Sequence, residues 1–299
     1  MQKPNSPIGG TELLYNNLIK RVDLSDINLI LSICHPDLLS DSKPNVLWQH
    51  LNINEENAMG LKDPEYVKRL DAIVFVSHWQ HEQFRKNVPL DDIDCYVIQN
   101  AIPEFDWKEK PKDKIKLIYT STPWRGLQVL VEVLKNINRT DIDVDIYSGT
   151  SIYGPSFADQ TKGQFDGIYN GIKELGYNHV EYAPNSVVRD AVQNAHILAY
   201  PSIFEETSCL SAIEALSSGC KVVTTNYGAL YETCGTWADY VPLCNNIVDR
   251  YSSLLNNAID SYWKDYSWRK SQHEYYLNHW SWNTRLDQWK QLINEVSNG

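Results

Sequence analysis

Short apolar runs alternate along this chain with longer stretches whose apolar residues recur every three or four positions. Residues 27–33, 45–50 and 71–77 read as strands in the first third, and 115–120, 144–147, 180–182, 196–200 and 221–225 in the remainder. Between them Leu14, Leu18 and Val22 share one helical face. So do Leu127, Leu130, Val131 and Leu134, and again Val188, Ala191, Val192 and Ala195. Runs that are apolar throughout suit strands buried on both faces. Their alternation with amphipathic helices predicts an α/β chain with parallel sheets. The charged, proline-bearing segment 103–114, PEFDWKEKPKDK, reads as a linker. It divides the chain into domains 1–103 and 104–281. Residues 282–299 form a last helix, with Ser281 as its cap and Trp282, Leu286, Trp289, Ile293 and Val296 on one stripe. Segment 150–167, polar with several glycines and aromatics, reads as a loop.

The candidate chemistry concentrates in 204–232, FEETSCLSAIEALSSGCKVVTTNYGALYE. Ser208 is a good helix N-cap, Leu210, Ile213 and Leu216 follow at helical spacing, and Gly219 suits the position just past the helix end. A loop leaving a strand and running straight into a helix offers backbone N–H groups and a positive dipole end to an anion. Glu206 stands in that loop and Glu214 more than one turn inside the helix. The arrangement suits phosphates over the helix start, with one acid on a polyhydroxyl group and the other on a second diol. Arg125, in the turn Ser121-Thr122-Pro123-Trp124-Arg125-Gly126, carries a planar fork that matches phosphate oxygens. A cation at a helix start is unfavourable unless an anion joins it, which favours a binding role over a plain surface arginine. His50 ends an apolar strand, where ligands of open α/β sheets bind. A lone histidine is otherwise more often surface or packing, and His35 after the preceding strand competes with it. Gly9-Gly10 reads, on the residues alone, as a turn and helix start.

The stretch Tyr200-Pro201, Phe204, Glu206-Thr207-Ser208-Cys209, Glu214-Ala215, with the turn Gly228-Ala229-Leu230-Tyr231-Glu232-Thr233, resembles the Glu-x-seven-Glu signature of retaining glycosyltransferases of family four. It is most similar to the branch reading YPxxFxETSC. The resemblance extends over about 9–297, strongest at 115–235 and weaker before 70. It implies the GT-B fold: two Rossmann-like domains whose parallel sheets face a cleft, with C-terminal helices crossing back to the first domain. It also implies transfer of a sugar from a nucleotide diphosphate sugar to a hydroxyl acceptor (saccharide, lipid-linked or other) with retention at the anomeric carbon. The implied setting is surface glycan or polysaccharide synthesis, with no cofactor and no metal required.

By the same resemblance Glu206, His50 and Arg125 are the catalytic set, with His50 reaching the sugar from the opposite domain as the cleft closes. Glu214, Arg125, Thr207, Ser208, Cys209, Leu210, Gly10, Thr122 and Tyr182 surround the donor. Glu214 is expected on the ribose and Tyr182 near the base, although a tyrosine at a sheet edge is also ordinary packing. The chain departs from the family's pattern in three places. There is no room for the family's first strand before Gly9-Gly10, so either the N-terminal sheet lacks it or the start is truncated. Ala101 stands where glycine is usual, and Arg125-Gly126 stands for Lys-Gly with Ser121 or Thr122 in the place of a second basic residue. Those departures sustain an alternative of a non-catalytic nucleotide- or glycan-binding protein on the same scaffold. A nucleotide-sugar epimerase of that fold is a weaker alternative.

Composition narrows the partners. Net charge is −11 at pH 7, which argues against nucleic acid and against a broad dock on anionic lipid, leaving room only for weak peripheral membrane contact. Six cysteines without metal or framework spacing predict free thiols and a cytoplasmic setting.

Overall fold

The computed structural model describes residues 8–298. The polar, proline-bearing start of the chain (1–7), where sequence predicts no strand, lies outside the described residues. The chain divides into two compact units. The N-terminal unit comprises Gly10–Pro103, Glu205–Cys209 and the chain from Trp280 onward, and the C-terminal unit comprises Glu104–Phe204 and Leu210–His279 with the residues just before Gly10.

In the N-terminal unit the helix Gly10–Leu18 comes first and buries Leu14 and Leu18. Four parallel strands follow in spatial order, β1 (Asn28–Leu31), β2 (Asn45–Gln49), β3 (Ala72–Phe75) and β4 (Asp94–Val97). The central strands β2 and β3 are buried at every residue, β3 as its continuous apolar run predicts and β2 with the polar Asn45 and Gln49 buried at its two ends, while the edge strands are partly open. The last helix, Trp282–Asn298, belongs to this unit and buries Trp282, Trp289, Leu292 and Ile293. Trp289 meets Trp48 of β2 edge-on, with ring centroids 4.8 Å apart. A parallel bridge between Ile102 and Ser281 fixes where that helix joins.

The C-terminal unit holds six parallel strands: β5 (Ile115–Thr120), β6 (Ile142–Tyr147), β7 (Asn178–Val180), β8 (Ile197–Tyr200), β9 (Lys221–Thr225) and β10 (Ala238–Val241). Their spatial order is β10-β9-β8-β5-β6-β7. The chain therefore winds outward from β5 in one direction, returns to β8, and winds outward in the other. The gap between the carboxyl ends of β5 and β8 is the switch point at which ligands of such sheets bind. The helix Leu127–Ile137 buries Leu127, Leu130, Val131, Val133 and Leu134, the face that its spacing predicts, and Asn138 at φ 42° ends it.

Two sequence readings change here. Segment 150–167 is not an open loop: it forms a 3-10 turn at Ser151–Tyr153 and the helix Pro155–Gln160. Trp124 packs against Tyr153, Phe157 and Phe165, with centroids 5.8 to 6.0 Å away, so its aromatics, scattered in sequence, hold it together. The stretch after Pro103 is also more anchored than its charge predicts. Phe105 is buried, and Lys110 is buried with its Nζ donating to the carbonyl of Gln193 at 2.8 Å.

Candidate functional site

In the C-terminal unit the loops leaving β5 and β8 are pressed together at the switch point. Gly126 has φ 114°. A Cβ on it would lie 2.1 Å from the carbonyl oxygen of Pro201 and 2.9 Å from that carbonyl carbon. Only glycine accepts both that dihedral and that approach. Around it, Tyr119 donates its hydroxyl to the carbonyl of Thr122 at 2.9 Å, and Ser211 donates its Oγ to the carbonyl of Thr120. Thr224 and Thr225 donate to the carbonyls of Tyr200 and Ser202, both at 2.7 Å. Arg125 follows from this frame. Its guanidinium lies 4.0 Å from the centroid of the Phe204 ring, a cation–π contact that holds the fork in one plane. Thr122 is buried beside it.

The helix Leu210–Ser217 starts at the same end of the sheet. Ser208 does not cap it. Its Oγ is inaccessible and has no hydrogen-bond partner, and the helix begins two residues later. The reason is that Glu205–Cys209 is drawn into the N-terminal unit before the helix opens. There Thr207 donates its Oγ1 to the carbonyl of His50 at 2.8 Å, Asn52 donates to the carbonyl of Glu205, and Asn100 donates to that of Ser208 at 3.4 Å. Gly219, at φ 76°, ends the helix as predicted, with the Cys220 N–H returning to the Ala215 carbonyl at 2.9 Å.

Glu214 lies one turn inside that helix, its side chain 14% exposed, 3.9 Å from the Nε of Arg189. Burial pushes its carboxyl up to about 7, and Arg189 pulls it only partly back. Arg189 is itself held by the Glu104 carbonyl at 2.8 Å and lies 4.2 Å from the Phe105 ring centroid. A carboxyl that gains its charge near neutrality is poised to accept hydrogen bonds from hydroxyls brought by a ligand. Tyr182 is half-buried just beyond the short strand β7, which ends two residues earlier than its sequence predicts. Gly149, at the exit of β6, touches this segment, because a Cβ there would lie 2.2 Å from the Glu181 carbonyl oxygen.

In the N-terminal unit His50 follows β2 directly. Its Nδ1 and its backbone N–H both face the Oγ of Ser32 at 3.3 Å, and its ring lies 4.6 Å from that of Trp48. Its Nε2 is inaccessible and has no hydrogen-bond partner. Burial drives the ring down to about 3, so His50 is neutral across the physiological range. His35, the other histidine at a strand exit, is exposed and caps its own turn, accepting from the Asp37 N–H at 3.2 Å. Glu206 is buried in the same unit. Gly10 is an exposed first residue of its helix.

Sequence reasoning missed Ser32, Gln80 and Arg189. Ser32 is buried at φ 62°, a left-handed backbone outside glycine that turns its hydroxyl onto His50. Gln80, fully buried, donates to the carbonyls of Gln49 and Leu51 at 3.2 and 2.9 Å and so fixes the turn that carries His50. A glutamine on the buried face of a helix start was the one signal available.

Residues 115–257 match the family model of glycosyl transferases group 1. No relative matches among curated proteins. Among solved structures the chain is similar to a sucrose-phosphate synthase from Thermosynechococcus elongatus, with TM-score 0.68 and 14% identity, covering 86% of this chain and 69% of that one. It is similar to a glycosyltransferase from Rickettsia africae, with TM-score 0.67 and 16% identity, covering 99% and 84%. It is also similar to the pneumococcal O-GlcNAc transferase GtfA, a complex with UDP and GlcNAc, with TM-score 0.66 and 14% identity. That match covers 96% of this chain but 60% of GtfA, so the chain spans well under the whole of that protein. The fold is GT-B, with two parallel sheets as the sequence predicts.

Proposed function

We propose that this protein transfers a sugar from a nucleotide diphosphate sugar to a hydroxyl acceptor with retention of anomeric configuration. The observation that carries the reading is the pinned switch point, where Gly126, Arg125 and the start of the Leu210–Ser217 helix share one end of the sheet with Glu214. The group 1 match over the same residues supports it. Glu214 accepts hydrogen bonds from the ribose hydroxyls. Arg125 takes the diphosphate on its fork, aided by the N–H groups of Cys209 and Leu210, and so supplies the charge stabilisation of the leaving group that a metal supplies elsewhere. Thr122 lines that grip and Tyr182 the base. Glu206 and His50 keep the roles implied by the family resemblance, on hydroxyls of the transferred sugar. There Glu206 supports the positive charge that builds on the ring. A neutral imidazole suits His50, because it adds no charge beside that carbon.

UDP is the first nucleotide to try, since GtfA and a similar Anabaena structure are complexes with UDP or UDP-glucose. A thermal-shift panel of nucleotide diphosphates and their sugars is expected to stabilise the wild type with one base and to leave Glu214→Ala unmoved. Glu206→Ala is expected to keep nucleotide binding while transfer or donor hydrolysis falls by at least ~100-fold, the usual loss when a transition-state partner is removed. Nucleotide binding with no turnover in the wild type would instead favour a binding protein on this scaffold.

A further inference from the structure

We propose that the C-terminal unit carries a second ligand site, for a neutral saccharide, at the end of its sheet opposite the Gly126 loop. Lys221 is the first residue of β9, and Asp239 stands near the start of β10. In a parallel sheet those amino ends lie together, away from the carboxyl ends that bear Arg125 and Glu214. A cavity of about 420 Å³ opens there, a volume on the scale of one or two sugar rings.

Its lining combines two kinds of group. Trp237 and Trp268 supply indole faces. Trp268 is 66% exposed, the most open of the large apolar residues among the described residues, with an aromatic face left uncovered. Beneath the indoles lie charged groups that are largely buried: Lys221 and Arg269 are both 7% exposed. Lys221 Nζ pairs with Asp239 at 2.9 Å. Arg269 donates through Nη1 to Gln272, but its inaccessible Nε has no hydrogen-bond partner. Asp265 completes the lining.

Two cations and two carboxylates cancel, so the cavity offers donors and acceptors without net charge. A phosphate or other anion would have to compete with Asp239 for Lys221 and would face Asp265. A pyranose meets both halves of the lining. Its C–H face lies against an indole, and its hydroxyls both donate to carboxylates and accept from a guanidinium. The buried, unsatisfied Nε of Arg269 is the group whose desolvation such a hydroxyl would offset. This inference does not depend on the transferase reading, because it uses none of the residues of the switch point.

The test is a titration of the full chain with cellobiose, maltose, lactose and N,N′-diacetylchitobiose, read by tryptophan fluorescence and saturation-transfer NMR, with inorganic phosphate as the anion control. At least one disaccharide is expected to bind saturably in the millimolar range. Trp268→Ala, a change at an exposed position, is expected to weaken that binding by about tenfold or more with an unchanged melting profile, as loss of a stacked aromatic face would. An excess of UDP is expected to leave it unaltered. The proposal is overturned if none of the sugars saturates, if Trp268→Ala binds as the wild type does, if UDP displaces the sugar, or if phosphate alone binds.

Discussion

Gly126→Ala is expected to abolish nucleotide binding and to lower the free energy of unfolding by about 3 kcal/mol, the scale of a strained dihedral combined with a forced overlap. The added methyl would sit 2.1 Å from the Pro201 carbonyl oxygen, and that oxygen is backbone, not the tip of a flexible side chain. To relieve the overlap the β5 and β8 loops must separate. Separation would disturb the Ser211 bond to the Thr120 carbonyl and carry Arg125 off the Phe204 ring. Gly126→Asn separates the two causes: asparagine tolerates a positive φ better than alanine does, but it brings the same Cβ. Urea midpoints for the two variants should fall by similar amounts if overlap dominates. An alanine variant with wild-type midpoint and nucleotide affinity would show that the loops are not locked as described.

The second large effect belongs to Glu214→Gln, and it depends on pH. The folded carboxyl titrates near 7 against an ordinary value of 4.5. Between those values the folded chain holds more proton at this site than the unfolded chain does. Stability from this group is therefore fully present below about 4.5 and is lost as pH rises through 7. Allowing for partial exposure, the loss across the window is on the order of 2 kcal/mol. Glutamine cannot ionise, so the variant should gain on the wild type across this window and stay ahead above it, as paired urea titrations at pH 5 and pH 8 would reveal. Nucleotide affinity should move the opposite way. Wild-type binding should strengthen toward pH 8 as the carboxylate forms, while the variant binds weakly and without that dependence. Parallel stability curves for the two proteins would mean that Glu214 is already ionised in the folded state.

The fold was legible because its cause is local. Strands buried on both faces must be apolar throughout, as β3 and β8 are, and helices on such sheets must show one stripe, as 127–137 does. Gly219 announced its helix end because a helix closes most easily on a left-handed residue, and glycine adopts that conformation without strain. The site was legible only in part. The acids could be placed on loop and helix by counting, but the burial that raises Glu214 belongs to the folded packing, and the Arg189 that pulls it partly back is held by Glu104 and Phe105, distant in sequence. Gly126 read only as the end of a turn, standing with Arg125 for the family's Lys-Gly, since nothing nearby in sequence reveals a carbonyl arriving from residue 201. Ser208 misled for the same reason: its capping chemistry is sound, but the hydrogen bonds from Asn52, Thr207 and Asn100 take its segment elsewhere.

The placement of the last helix has a consequence for biosynthesis. A ribosome delivers the chain from its amino end, and domains usually fold in that order. Here β1 to β4 emerge early, yet the Trp289 that packs on Trp48 is made only after the entire six-stranded sheet. Until residue 289 has left the ribosome, the nascent N-terminal sheet must wait with the Trp48 indole uncovered on that side. The unit whose synthesis begins first is completed last, and the helix Trp282–Asn298 is the latch that closes it.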